Sequence, residues 1–510
     1  MTVKTVQNND AIGLRGVTSN FNNSGLEAIS NNRNPEKASV TVDTELVTRD
    51  PETLTKEQSE LFMERTAALR KSDIPDRVPD SKEPDVTIKE LGSGGQGIVK
   101  KITHGDQTYI EKTPTMVSNN DLIGPFMEQR KLVEIARENV QKEGNYLIDQ
   151  QGLDSCVFTE KMIAKFPDGK QMPFEEFRKY AEDTKQQEEE GNGKSPSGEA
   201  RRLSPDELRE FAKEKEITLG FLQGFVDGRN GKDAIYTTPI EFFSNGCVQN
   251  PQHSTKMLSG LLLGLHLIHK AGYVQSDIKL PNIMFCGPES EPNMWIVDMD
   301  LISKEGRTLT DMFGSSNGAP ELKAALLDAF ENDKDLQYVL SNKYDIFSAG
   351  TLFPQFLFGQ LSDTEFITKD QYNRSRSVFE SNVFTIEESE YAKHVKEFSD
   401  EQVSDFFRGK FNKLNDEMFK KTGKKYPPDV LNALSDLTAR MCSLDPNKRP
   451  TAIECYEILM HLGLSDWNSN SFTIDGMKVP DALKNLQKQP ENDSIPAPST
   501  PAVSIPAPSK

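Results

Sequence analysis

The stretch Tyr273-Val-Gln-Ser-Asp-Ile-Lys-Leu-Pro-Asn-Ile-Met-Phe285 places an acid, a cation and an amide, Asp277, Lys279 and Asn282, inside an otherwise apolar strip. Charged groups are costly to hold among apolar neighbours, so this spacing asks for a chemical reason. Around the strip the chain changes character. From about residue 254 onward helical periodicity dominates, with 258–269, 343–357 and 430–441 reading as buried or amphipathic helices. Upstream, residues 86–91 alternate, glycines follow, and 99–102 and 108–112 flank His104-Gly105-Asp106, the pattern of a β-hairpin.

Gly92, Gly94 and Gly97 open that hairpin as Gly-x-Gly-x-x-Gly. The same spacing serves dinucleotide-binding folds, but there the third glycine opens a helix, whereas here it opens a strand through Val99. The glycines therefore form a flap whose backbone amides can approach phosphates without side-chain clash. Lys112, on the second hairpin strand, aims a point charge at phosphate oxygens. Such a lysine needs a carboxylate to hold it, and the helix expected over 125–139 offers Glu128 and Glu134. Glu128 shares a face with Leu132 and Ile135, whereas Glu134 leads to Glu138 and Gln141, so Glu128 is the expected partner. A further acid follows the apolar run Trp295-Ile-Val, with Asp298 the better candidate and Asp300 the alternative.

Together these residue types suit phosphoryl transfer, in which a protein orients a hydroxyl, clamps a nucleotide and neutralises charge on the moving phosphate. Asp277 can accept or orient the hydroxyl proton, and Lys279 can reach the transferred phosphate. Asn282 and Asp298 can offer hard oxygens to Mg²⁺, which an amide oxygen alone holds poorly. ATP and Mg²⁺ are the expected cofactors.

In their order along the chain these elements resemble the eukaryotic-type protein kinase family, over roughly residues 85 to 465. Ala319-Pro-Glu321 looks like the close of the activation segment, Asp345 resembles the central-helix aspartate, and Arg449 in Asp445-Pro-Asn-Lys-Arg-Pro450 resembles the buried arginine that pairs with that glutamate. The resemblance implies an α+β, bilobal kinase-like fold: a small antiparallel β-rich lobe with one main helix, and a larger α-helical lobe. It also implies that 157–162 meets adenine, with Thr159 as gatekeeper, Glu160 and Met162 giving backbone bonds and Val99 covering the ring. The Lys279 pattern and Gly314-Ser315 are similar to those of Ser/Thr kinases.

Two departures stand out. The family's His-Arg-Asp reads Gln275-Ser276-Asp277, which removes the arginine that pairs with an activation-segment phosphate and implies activity without that phosphorylation. Asp-Phe-Gly reads Asp298-Met299-Asp300; Met can fill the apolar slot, but Asp lacks glycine's access to positive φ. These departures support an alternative reading, a pseudokinase scaffold that binds nucleotide or partner proteins without efficient transfer. Retention of the whole set of lysine, base and metal residues opposes it. His269 is expected to be a satisfied helix-end histidine, and Asp345 to hold the catalytic-loop backbone.

The expected organisation is a disordered tail over 1–50 and an extension over 51–84 containing an amphipathic helix at 55–69. A small lobe over 85–163 follows, then a large lobe over 164–465 with insertions at about 164–250 and 361–420. An extension over 466–490 and a Pro-rich tail over 491–510, repeating Ser-Ile-Pro-Ala-Pro-Ser, complete the chain. Within the first insertion 184–200 reads as a solvated loop, and Ser204, Pro205 and Glu207 as a capped helix start.

The 79 acidic and 60 basic residues, a formal net charge of -19, argue against a nucleic-acid partner. Five cysteines without a Cys-x-x-Cys pair suggest neither a disulfide framework nor a zinc site. The longest apolar run, 258–268, is too short to span a bilayer. The expected setting is a reducing, cytoplasmic one, with protein substrates and a regulatory or scaffold partner met through the insertions and the Pro-rich tail. A domain this divergent, with such tails, looks like kinases that bacteria deliver into host cells.

Overall fold

The computed structural model describes residues 74–94, 97–114, 123–142, 152–191, 202–248, 251–286, 293–309, 318–363 and 399–464, with short pieces at 473–474 and 477–478. The expected tails, the 55–69 helix and Gly314-Ser315 lie outside the described residues.

Three antiparallel strands begin the fold: β1 (Val86–Gly94), β2 (Gly97–His104) and β3 (Gln107–Thr113). Gly97, at φ 151°, sits where an added Cβ would lie 2.4 Å from the Thr113 carbonyl oxygen, so the flap can close onto β3 only with glycine there. Helix α1 (Ile123–Lys142) follows, then β4 (Thr159–Lys165), β5 (Gln171–Pro173), α2 (Phe174–Gly191), α3 (Pro205–Glu214) and β6 (Thr218–Gly224). The sheet order is β1-β2-β3-β6-β4-β5. Phe126, Met162, Phe174, Phe177, Phe211 and Phe221 bury one face of it against α1, α2 and α3.

This topology corrects the expected small-lobe boundary at 163. The strand bonded to β3 is β6, with Lys112 opposite Phe221, and the segment from β5 through α3 is a hairpin-and-helices insertion between β4 and β6. The β-rich lobe therefore runs to Gly224. The expected solvated loop over 184–200 is also corrected in part: α2 continues to Gly191, and 192–200 lies outside the described residues. Its acidic run is tolerated because Lys185 pairs with Glu188 and Glu214, and Lys215 pairs with Glu188, tying α2 to α3. The expected capping box of α3 is present, with Ser204 Oγ accepting from Glu207 N and Glu207 accepting from Ser204 N.

After Gly224 the chain crosses to a helical lobe containing β7 (Gly228–Asn230), α4 (Gly231–Thr237), α5 (Ile240–Val248), α6 (Pro251–Lys270) and β8 (Tyr273–Val274). Then come β9 (Ile283–Cys286), β10 (Asn293–Ile296), α7 (Pro320–Glu331), α8 (Lys343–Phe358), α9 (Asp400–Thr422), α10 (Pro428–Met441) and α11 (Ala452–Leu464). One large apolar cluster holds them, including Leu258, Leu262, Phe347, Phe353, Phe411, Leu437 and Leu459. The architecture is the α+β, bilobal one expected. Among the described residues no helix is long and apolar enough to cross a membrane.

Candidate active site

The strip 273–285 becomes a short strand, a loop and β9, and its loop is fixed by side chains that bond its backbone, Asp345 from outside and Gln275 and Asn282 from within. Asp345, fully buried in the first turn of α8, accepts from Gln275 N and Ser276 N at 2.8 Å each and meets His269 Nε2 at 2.9 Å. Both His269 and Asp345 thus sit as expected. Ser276, at φ 70°, lies in the left-handed region, a conformation that persists where surrounding bonds such as these hold it.

Gln275 links the two acidic loops. Its Oε1 accepts from Asp277 N at 2.6 Å and its Nε2 donates to the Asp298 carbonyl at 3.1 Å. An amide can do both at once, which is a physical reason for glutamine at this position. Asp277 is buried, and its carboxylate accepts from Lys279 Nζ at 2.7 Å and Asn282 Nδ2 at 2.9 Å. Burial pushes its pKa up against the pull of Lys279, a direction that suits a proton acceptor.

Across from this loop, Lys112 Nζ donates to Asp298 at 2.9 Å and is in direct contact with Asp300. Burial draws its pKa down, but Asp300 and Asp298 outweigh that, and the ammonium is held above its usual range. Asp298 is at φ 60°, a left-handed conformation that Asp tolerates better than most residues. Met299 is buried in the main core, filling the slot expected of it. Val99 lies opposite both Gly92 and Lys112 in the sheet register, and Gly94 pairs with Gly97.

The structure does not pair Lys112 with Glu128. The Glu128 carboxylate accepts from Tyr273 Oη at 2.9 Å and from Lys131 Nζ at 2.8 Å, and these bonds outweigh burial to hold its pKa below the usual carboxylate value. The inward stripe of α1 is Phe126, Gln129, Leu132 and Ala136, one residue around from Glu128. Gln129, buried, donates to the Met299 carbonyl at 3.0 Å and accepts from Thr159 N at 2.8 Å. Its signal was legible, since it stands three residues from Phe126 and from Leu132, but the search for a carboxylate passed over an amide.

The adenine contacts expected at Thr159, Glu160 and Met162 are also corrected. These residues lie on β4, which pairs with β6 and turns back through β5 instead of crossing between lobes. Met162 is buried in the small-lobe core. Thr159, Glu160 and Met162 line a cavity of about 520 Å³ bounded by α1 and the crossing chain, and Lys112, Asp277 and Asp298 are not among its walls. The segment that does cross is 224–227, which falls inside the insertion expected over about 164–250.

Asp298 carboxylate and Asn282 amide oxygens are the hard donors that Mg²⁺ takes, and Asn282 spends its Nδ2 on the Asp277 carbonyl and carboxylate, so its Oδ1 is turned away from those acceptors. Two such donors suit an ion that keeps waters and phosphate oxygens as its other ligands.

A lysine from the antiparallel sheet thus meets the acidic turn at 298–300, which Gln275 joins to the acid-amide loop of the helical lobe. Comparison with known families agrees: residues 217–461 match the protein kinase domain, and such a domain implies use of ATP on protein substrates. No curated protein matches the chain.

Proposed function

We propose that the chain is an active, Mg²⁺-dependent Ser/Thr protein kinase that transfers the ATP γ-phosphate to protein hydroxyls. The observation that carries this is the convergence of Lys112, Asp298 and, through Gln275, Asp277 at the junction of the lobes. Asp277 takes or orients the hydroxyl proton, and its raised pKa makes it a better acceptor than a surface aspartate. Lys279 leans on Asp277 and can turn to the transferred phosphate. Lys112 meets the nucleotide phosphates under the Gly92, Gly94 and Gly97 flap. Asp298 and Asn282 would hold Mg²⁺, which would offset the charge of the phosphates there. The backbone of 224–227 would meet adenine, with Val99 above the ring and Val226, Met284 and Val297, which pack in one cluster, below it.

The pseudokinase reading needs a reason for the complete set of charged groups, and none is visible. Transfer of labelled phosphate from ATP to a Ser/Thr protein mixture, with and without Mg²⁺, tests the proposal; no transfer above a Lys112→Met, Asp277→Ala control overturns it.

Ser276, fully buried, offers no cation to an activation-segment phosphate. Singly replacing Thr308, Thr310, Ser315 and Ser316 with Ala is therefore expected to leave turnover near wild type, except at a residue that touches substrate. A uniform loss across the four, read by initial rates, would show that phosphorylation switches the enzyme after all.

Gln275→Ala removes two bonds at the junction. It should lower kcat about five- to a hundredfold, the worth of about 1–3 kcal/mol left unpaired. Gln275→Asn, too short to reach both partners, should not restore it in the same assay.

A further inference from the structure

We infer that Asp300 is the residue that positions Lys112 for the nucleotide, replacing the helix glutamate that members of this family use. The inference rests on the kinase reading above and deepens it. Four observations carry it. On α1, the expected partner Glu128 is committed to Tyr273 and Lys131. The residue that α1 does send inward is the neutral Gln129. Asp300 and Lys112 are each 9% exposed and in direct contact. Finally, Asp300 stands where the family carries glycine, so this carboxylate is an addition of this chain, made at the place where the helix acid is missing.

The geometry gives the two aspartates different tasks. Asp298, with its side chain 28% exposed, can turn to a metal, whereas Asp300, 11% exposed, stays against the ammonium. A buried lysine that loses one of its carboxylate contacts loses part of its counter-charge and is held less firmly. The 3₁₀ turn Met299–Leu301 thus carries the lysine anchor, and α1 meets that turn through the Gln129 bond to the Met299 carbonyl and apolar packing of Leu132 and Ala136 in the same cluster as Met299. In this arrangement the lysine is set by the metal-binding loop itself, and an outward movement of α1 does not withdraw its partner.

A double-mutant cycle on nucleotide binding tests this, with a fluorescent ATP analogue titrated into wild type, Asp300→Asn, Lys112→Met and the double variant, and with Glu128→Gln alongside. Because binding is read without turnover, an inactive wild type would sink the kinase reading while leaving this test intact. Asp300→Asn should weaken analogue binding about ten- to a hundredfold, the worth of one hydrogen bond to a charged group. In the Lys112→Met background the same change should matter less than about twofold, since Asp300 acts through the lysine. Asp300→Glu should recover part of the loss, and Glu128→Gln should shift binding less than about twofold. Equal effects of Asp300→Asn with and without Lys112, a Glu128→Gln loss as large as that of Asp300→Asn, or tighter binding by Asp300→Asn would each overturn the inference. The last outcome would mean that the carboxylate competes with phosphate for the ammonium. Thermal melting of the same four proteins guards against misfolding, and the cycle is then evaluated at a temperature where all are folded.

Discussion

Asp277→Ala is expected to lower phosphate transfer about 10²- to 10⁴-fold, the usual worth of a positioned base, while the protein stays folded. The two halves of that expectation have separate causes. The loop around Asp277 is held by Asp345 through the backbone amides of Gln275 and Ser276, and by Gln275 Oε1 on the Asp277 amide, none of which needs the Asp277 carboxylate. Truncation therefore removes the carboxylate but leaves its frame. What it does disturb is the pair of donors on that carboxylate, Lys279 Nζ and Asn282 Nδ2; Asn282 keeps its second bond to the Asp277 carbonyl at 3.1 Å. Nucleotide binding should accordingly change little, so the loss should fall on kcat and not on the KM for ATP. Rapid-quench measurement of a single turnover, together with a melting curve, checks both halves. Transfer that stays within about threefold of wild type would remove Asp277 from the chemistry, because no proton-transfer role has so small an effect.

How much of this was legible in the sequence depended on how locally each feature is determined. The hairpin and the start of α3 are set by near neighbours, and both fall where periodicity and capping place them. The Ser204 capping box is a case in which four residues decide the outcome alone. Errors arose where a choice depended on residues far apart in the chain. Glu128 and Gln129 differ by 100° around one helix, and only the docking of α1 on the Met299 turn decides which faces inward. Likewise, 159–165 and 218–224 are both plausible strands by composition, and the pairing of β6 with β3 decides which of them leads out of the sheet. By sequence Asp300 is the alternative to Asp298 as the further acid. Its contact with Lys112, 188 residues away in the chain, is a tertiary fact.

The second large effect is on stability. Arg449→Met should destabilise the helical lobe by about 3–5 kcal/mol, the cost of breaking a buried ion pair by removing one partner. Arg449 is 2% exposed and bonds bidentately to Glu321, at 2.6 and 2.7 Å, from the loop before α11 to the first turn of α7. Its other donors satisfy the Ser443 carbonyl at 2.8 Å and the Lys343 carbonyl at 3.0 Å, and its guanidinium lies 4.9 Å from the centroid of Phe347. One side chain therefore closes α7, the start of α8 and the turn before α11 into a single unit, and a thioether can replace only its packing. Removing the charge on the other side as well should recover part of the loss, since Glu321→Gln in the Arg449→Met background no longer leaves a carboxylate unpaired in a partly buried place. Denaturant melts of the two single variants and the double decide the point. If the double variant is no more stable than Arg449→Met, the arginine acts through its backbone bonds to residues 343 and 443, and the ion pair with Glu321 contributes little.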